Sequence, residues 1–190
     1  PKPEDMVLDL CAAPGGKTTH CAECMDDKGI IDAVDIKKNR LKLIKHAASR
    51  LGHECIKYFE HDALSFNGGS TGHYDKVLCD VPCTGTGVLA KRPDMKWRRS
   101  QDDLTRMANI QFSILRNAVS LVKPGGIVVY STCSLEREEN EDVVNRGISE
   151  LGLEPVQDGQ FDEYVSDTGY LILPYHMDGS GAFAAKLRRV

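Results

Sequence analysis

A doubly wound α/β fold with a mostly parallel central sheet is predicted by three features of this sequence. Apolar runs of strand length alternate with segments of helical period. The runs are continuously apolar, as strands covered on both faces require. The chemically distinctive residues cluster where these runs end, the carboxyl edge at which open α/β sheets bind their ligands. In order, "MVLDLCA" (6–12) reads as the first strand and "GGKTTHCAECMDD" (15–27) as a helix ended near Gly29. "IIDAVDI" (30–36) is the second strand. In the helix over 37–52, apolar residues recur at 41, 44, 47, 48 and 51, with Gly52 as its C-terminal cap. "ECIKYFEHDA" (54–63) is the third strand, 67–72 a loop, and "YDKVLCDVP" (74–82) the fourth strand, stopped by Pro82. A helix runs from about Asp102 to Val122, with Ser100 as N-cap and Asp103 three residues on. "KPGG" turns into the fifth strand at 127–133, a helix covers 135–152, and "AFAAKLRR" (182–189) is a last strand.

The 190 residues suit one domain, and 41% hydrophobic with 27% charged residues is the balance of an ordinary soluble chain. No apolar run approaches the roughly 20 residues of a membrane span, and no signal peptide is visible. The opening "PKPEDMVLDL" has no initiating Met and enters a strand almost at once, which reads as a piece whose upstream part is missing. A net charge of −4 leaves nucleic-acid binding to a local basic patch. Seven cysteines, at 11, 21, 24, 55, 79, 83 and 133, favour free thiols in a reducing cytosol, hence a cytoplasmic protein. "CAEC" (21–24) has CxxC spacing, but Cys79 and Cys83 flank a buried strand end and make a poor second pair, so no metal is expected. Cys21, Cys24, Cys55 and Cys79 read as inert packed thiols.

"LDLCAAPGGKTTH" (8–20) is a strand, a small-residue turn and a helix start. Gly15 and Gly16 allow a ligand close to the backbone. "GKT" invites a P-loop reading, but Cys11 stands where that motif needs its first Gly, and "CAAPGG" lacks the dinucleotide-binding spacing. Asp35, 20 residues after Gly15, ends the second strand, where a carboxylate accepts from both ribose hydroxyls. The pattern points to a nucleoside without a phosphate chain, and S-adenosylmethionine fits. Asp62 would lie near its adenine. The competing reading makes each Asp a helix or turn cap.

"LDLCAAPGGKT" (8–18), "DVPCTGTGVLAKRPDMKWR" (80–98) and "YSTCSLEREENEDVV" (130–144) resemble the signature motifs of RNA cytosine carbon-5 methyltransferases. The long loop is most similar to that of the bacterial RsmB type, which methylates 16S ribosomal RNA. The resemblance runs from about residue 5 to "FAAKLRR" and implies a seven-strand methyltransferase sheet with an antiparallel last strand. It places S-adenosylmethionine on Cys11, Ala12, Ala13, Pro14, Gly15, Gly16, Lys17, Asp35, Asp62 and Asp80. Members of this type carry an N-terminal RNA-binding domain, and residues 1–190 read as the catalytic domain without it.

Cytosine carbon-5 is too weak a nucleophile to take a methyl group unaided. A thiolate adding at carbon-6 makes carbon-5 enamine-like, so the chemistry needs an activated cysteine and a group to help release the product. In DNA cytosine methyltransferases the nucleophile is a Pro-Cys cysteine, which points to Cys83. In the RNA family that this sequence resembles it is the cysteine of "TCS", here Cys133, and Cys83 assists release of the adduct. Cys133 falls between a strand and a helix, where amide dipoles favour a thiolate. Asp80 would bond the ring near N3, donating when protonated or through a water.

"LAKRPDMKWRR" (89–99) sets Lys91, Arg92, Lys96, Arg98 and Arg99 against one acid, Asp94, with Trp97 among them. The cations neutralise phosphates, and Trp97 stacks a splayed base or else anchors the loop to the core. Unpaired RNA is the easier substrate, because the target base must leave its stack. "REENED" (137–142) caps the following helix, with Asn140 holding site geometry. The expected protein is a monomeric enzyme acting on RNA, ribosomal first and transfer RNA second. The alternatives are the same chemistry on transfer RNA and a non-catalytic RNA-binding or ribosome-assembly module that kept the cofactor pocket.

Overall fold

In the computed structural model, which describes residues 1–68, 74–97, 100–156, 164–166, 168–176 and 179–190, the strand–helix alternation becomes one sheet with helices on both faces. The elements are β1 (Met6–Asp9), α1 (Gly16–Cys24), β2 (Ile30–Asp35), α2 (Lys38–Leu51), β3 (Ile56–Glu60), β4 (Tyr74–Asp80), α3 (Gln101–Leu121), β5 (Val122–Thr132), α4 (Glu141–Leu151), β6 (Leu153–Pro155), β7 (Tyr170–Ile172) and β8 (Ala182–Arg189). The strand order is β3-β2-β1-β4-β5-β8-β6. β1 to β5 are mutually parallel, and β8 runs antiparallel to β5.

Alternation along each strand sorts side chains to two faces. Val7, Ile31 and Ala33 pack with Ala22, Leu41, Ile44 and Ala48 of α1 and α2. Leu8, Val34, Val77 and Val128 pack with Phe112, Leu115, Ala118, Val143 and Val144 of α3 and α4. The strand order reverses between β1 and β4, which opens a crevice at their carboxyl ends. Gly52, at φ 78, ends α2 as the sequence predicts. Ser100 caps α3 in a capping box with Asp103.

Several features depart from the sequence expectation, among them β5, which begins at Val122 and runs through the turn expected at 123–126. The sheet has eight strands rather than seven: the short β6 and β7 both pair with β8, and neither has an apolar run long enough to betray it. α1 stops at Cys24 because Asp26 and Asp27 adopt positive φ, freeing the Asp27 carboxylate to accept the backbone N–H groups of Glu54 and Cys55. α4 begins at Glu141 rather than 135, after a 3-10 turn at Arg137–Glu139 that drives Glu139 inward. Among the described residues no helix is long and apolar enough to cross a membrane. Arg98, Arg99 and part of the 67–72 loop lie outside the described residues.

Candidate active site

The crevice holds a cavity of about 490 Å³ lined by Cys11, Ala13, Asp35, Asp62, Asp80, Cys83 and Cys133, with Ile36, Leu64, Ile110 and Ile114 as apolar walls. Of the residues expected to hold a cofactor, Ala12, Pro14, Gly15, Gly16 and Lys17 are not on its lining but shape the turn behind it. Gly15 has φ 109, and a Cβ there would sit 3.0 Å from Ile44 Cγ2, so a side chain would be strained and crowded. The Ala13 N–H donates to Asp35 Oδ2 at 3.3 Å. Arg40 donates to Ala13 O at 2.6 Å and lies 3.1 Å from Asp35 Oδ2, clasping turn and carboxylate together. Asp35 Oδ1 also accepts the Lys37 N–H at 3.0 Å, and Asp62 Oδ1 that of Leu64 at 2.9 Å. Each carboxylate therefore caps local backbone and lines the cavity at once.

Beneath the turn, Asp9 accepts a 2.7 Å bond from Thr18, yet burial pushes its carboxyl up to about 6, and its other oxygen has no hydrogen-bond partner. Burial likewise drives the Cys11 thiol up, and the carboxylates of Asp9, Asp35 and Asp80 push it the same way.

Cys83 and Cys133, fifty positions apart, meet with their sulfurs 3.0 Å apart. The structure breaks their symmetry. Cys133 is exposed, and the hydrogen bond from the Cys83 thiol lowers it to about 7 against the opposing effect of burial. Cys83 is half-buried and pushed far up, first because that bond uses its proton and then by desolvation. Through the neutral range the pair passes from two thiols to a Cys133 thiolate that accepts the Cys83 proton. Iodoacetamide titrated across pH should alkylate Cys133 first. Below about 7 the sulfur is protonated and slow; above it the rate reaches a plateau. Peptide mapping that put the midpoint near the ordinary thiol value, or that found Cys83 labelled first, would overturn this ordering.

The loops carrying the two thiols are tied by residues that no motif reading singled out. Glu139 is fully buried; its Oε1 accepts the Thr84 N–H at 2.9 Å and Gln111 Nε2 at 2.8 Å, and its Oε2 accepts the Thr84 hydroxyl. Gln111 also donates to Pro82 O at 2.9 Å, and the Tyr130 hydroxyl to Glu139 O at 2.5 Å. Thr86 Oγ1 accepts the Leu135 N–H at 2.9 Å, and the Gly87 N–H donates to Cys133 O at 3.0 Å. A Cβ on Gly87 would lie 2.8 Å from that same carbonyl and 2.3 Å from Gly181 O, so the position admits no side chain. Asn140 accepts from Thr132 at 2.6 Å and donates to Ser134 O at 3.0 Å, the geometric role expected for it. "REENED" (137–142), expected to cap the following helix, gives α4 no side-chain cap, and nothing in its pattern marks Glu139 as the residue that turns inward.

Asp80 ends β4 with Oδ1 accepting Ser131 and Oδ2 accepting Lys17 Nζ, both at 2.8 Å. Farther out, Trp97 is 82% exposed, with Lys96 Nζ 5.5 Å from its ring centroid, so it does not anchor the loop to the core. Met95 fills that part, its Cε lying 2.6 Å from where a Gly85 Cβ would stand. Arg92 and Lys91 are exposed. In "CAEC", Cys21 is buried and Cys24 exposed. Cys79 is fully buried with its thiol pushed well up by desolvation. Among the described residues no group of three His, Cys, Asp or Glu is placed to hold a metal ion.

Comparison with known proteins gives a consistent picture. The family model described as 16S rRNA methyltransferase RsmB/F matches residues 1–188. The probable ribosomal RNA small subunit methyltransferase B of Bacillus subtilis (strain 168) is 42% identical over 199 aligned positions, covering 100% of this chain and 44% of that protein. The ribosomal RNA small subunit methyltransferase F of Aliivibrio salmonicida is 32% identical, over 97% of this chain and 41% of its own length. This chain therefore spans less than half the length of these curated relatives. Among solved structures, NSun6 from Pyrococcus horikoshii with SFG superposes with a TM-score of 0.89 at 35% identity, covering 100% of this chain and 49% of that one. A methyltransferase homolog protein from the same organism gives 0.87 at 34% identity, covering 100% and 63%.

Proposed function

Because the chain belongs to the 16S rRNA methyltransferase RsmB/F family, we propose that it transfers a methyl group from S-adenosylmethionine to carbon-5 of a cytosine in small-subunit ribosomal RNA, in the cytoplasm. The observation that carries this reading is the polarised thiol pair, 3.0 Å apart, on the wall of a cavity that also presents Asp35. The cavity suits a nucleoside. Asp35 is positioned for ribose hydroxyls, Ile36 and Leu64 for the flat base, and Lys17 is committed to Asp80 rather than to a phosphate. When bound, the cofactor supplies an electrophilic methyl on a sulfonium.

The protein's own part follows from the thiols. The Cys133 thiolate forms a bond to carbon-6, the 5,6 double bond opens toward N3 and O2, and carbon-5 becomes nucleophilic. Asp80, held by Lys17 and Ser131, bonds the ring near N3, donating when protonated or through a water, and fixes it. Once Cys133 sulfur is bonded to carbon, it is no longer an anion accepting the Cys83 proton. Two of the three leading causes that keep Cys83 protonated, the bond to Cys133 and the Cys133 charge, are thereby removed. Carbon-5 takes the methyl, leaving the donor as a neutral thioether, and Cys83 loses its proton to solvent and then serves as the base for the carbon-5 proton. As that proton leaves, the carbon-6–sulfur bond breaks, the double bond reforms, and the thiolate returns to Cys133.

The test is direct. The protein is incubated with methyl-labelled S-adenosylmethionine and a small-subunit RNA transcript, and the RNA is digested to nucleosides. The label is expected in 5-methylcytidine. Label in another nucleoside would refute the carbon-5 chemistry. No label from protein that S-adenosylmethionine stabilises against heat would favour a binding module instead.

A further inference from the structure

α2 carries a charge pattern that neither the cofactor turn nor the thiol pair uses. From Ile36 to His53 the sequence contains Lys37, Lys38, Arg40, Lys42, Lys45 and Arg50 and not one Asp or Glu, in a chain whose net charge is −4. Leu41, Ile44 and Ala48 form its buried stripe. At 100° per residue, Lys38, Lys42 and Lys45 fall within about 60° of one another on the side of the helix next to that stripe. They make one row about 10 Å long, and all three are exposed. Among the described residues none of the three pairs with a carboxylate; of the α2 cations, only Arg40 does, with Asp35.

This arrangement works against the helix. Lys37 and Lys38 sit at its N-terminal end, where the macrodipole disfavours cations; no acid stands in the first turn and no side chain caps it. Lys38–Lys42 and Lys42–Lys45 are like-charge neighbours at helical spacing. α3 and α4 follow the opposite rule, whereas α1 also lacks an acid in its first turn. α3 begins with Asp102 and Asp103 and pairs Asp103 with Arg106, while α4 begins with Glu141 and Asp142 and pairs Arg146 with Glu150. What sets α2 apart is six cations with no acid anywhere along it, a local inconsistency of the kind that marks function rather than solvation. The row begins two residues after Ile36, which lines the cavity, while Arg40, which also lines it, projects from the opposite side of the helix.

We propose that the Lys38–Lys42–Lys45 row of α2 is a docking surface for the phosphate backbone of the RNA substrate, leading from the rim of the cofactor cavity outward. It rests on the reading that the substrate is RNA. In a net-negative protein, bringing a polyanion to the cavity requires a local field of opposite sign, and α2 supplies one beside the site. Ammonium groups on flexible stems neutralise phosphates without reading bases, so the row sets affinity and orientation rather than sequence choice.

Binding of a 16S ribosomal RNA transcript, followed by fluorescence anisotropy against KCl concentration, tests this in the wild type, in the triple variant Lys38→Ala, Lys42→Ala, Lys45→Ala, and in the corresponding triple Lys→Arg variant. Losing three phosphate contacts should reduce the slope of log affinity against log salt by about 2 to 3. Raising KCl from about 50 to about 200 mM should then weaken the wild type roughly 20–40-fold more than the alanine variant. The arginine variant should keep the wild-type slope, and the melting shift with S-adenosylmethionine should be the same in all three. An unchanged slope in a folded alanine variant, with wild-type RNA binding intact, overturns the proposal. So does an effect confined to ribosomal particles with naked RNA bound normally, which would assign the row to a protein partner. Failure of the wild type itself to bind RNA would sink the RNA reading as well.

Discussion

Cys133→Ala is expected to lose methyl transfer by at least about a thousandfold and to form no covalent complex with RNA, whereas Cys83→Ala is expected to accumulate one. The first effect follows from removing the nucleophile, without which carbon-5 stays unreactive. The Cys133 side chain is exposed, so the variant should keep its fold to within about 0.5 kcal/mol. The second effect follows from the asymmetry of the pair. Cys133 still attacks in the Cys83→Ala variant, although its thiolate has lost the hydrogen bond that leads the causes of its lowered pKa. Its alkylation midpoint should therefore move up from about 7. The carbon-5 proton then loses the base placed for it, and turnover should fall about 10²–10⁴-fold, the usual worth of a general base. The protein–RNA adduct should survive denaturing gel electrophoresis and contain the transferred methyl group. The reverse pattern, an adduct with Cys133→Ala and none with Cys83→Ala, would exchange the two roles.

Much of this arrangement was legible in the amino-acid sequence because it depends on spacing along the chain. "LDLCAAPGG", Asp35, Asp62, Asp80 and "STC" each follow an apolar run, and parallel strands bring run ends to one edge whatever the exact register. That is why Cys83 and Cys133 could be placed together before any distance was known. What escaped depends on contacts between distant side chains. Arg40 clasps the cofactor turn from α2, and from sequence it is one cation among several. Ser131 bonds Asp80 and reads as an ordinary strand residue. Trp97 was open to two readings, and only the fold shows its ring exposed while Met95 packs near Gly85. β6 and β7, three residues each, take their pairing from β8 rather than from propensity, so no local signal marks them.

Glu139 is the sharpest case of a residue hidden by its surroundings, and its replacement should have the second-largest effect. Glu139→Ala removes the carboxylate that accepts from the Thr84 N–H, the Thr84 hydroxyl and Gln111 Nε2 in a buried site. At roughly 1–3 kcal/mol for each buried donor left unmade, with some relaxation, the loss should be about 2–4 kcal/mol. For a chain of this size that lowers the melting temperature by about 5–15 °C. Stability alone would not separate scaffold from function, so Glu139→Gln is the informative variant. It preserves shape and one acceptor oxygen, but it turns an amide NH₂ toward donors and removes the charge. Thr84 adjoins Cys83, and Gln111 holds the Pro82 carbonyl on its other side, so a small displacement here moves the Cys83 sulfur relative to Cys133. Glu139→Gln should therefore keep KM for RNA, lower kcat, and accumulate the same covalent adduct as Cys83→Ala in milder degree. The rival account, in which the network merely supports the fold, expects kcat to follow the fraction of folded protein and no adduct to build up. A Glu139→Gln enzyme with wild-type kcat and no adduct would decide for that account, because the acidic turn would then steady the loop without setting the position of the thiol that releases the product.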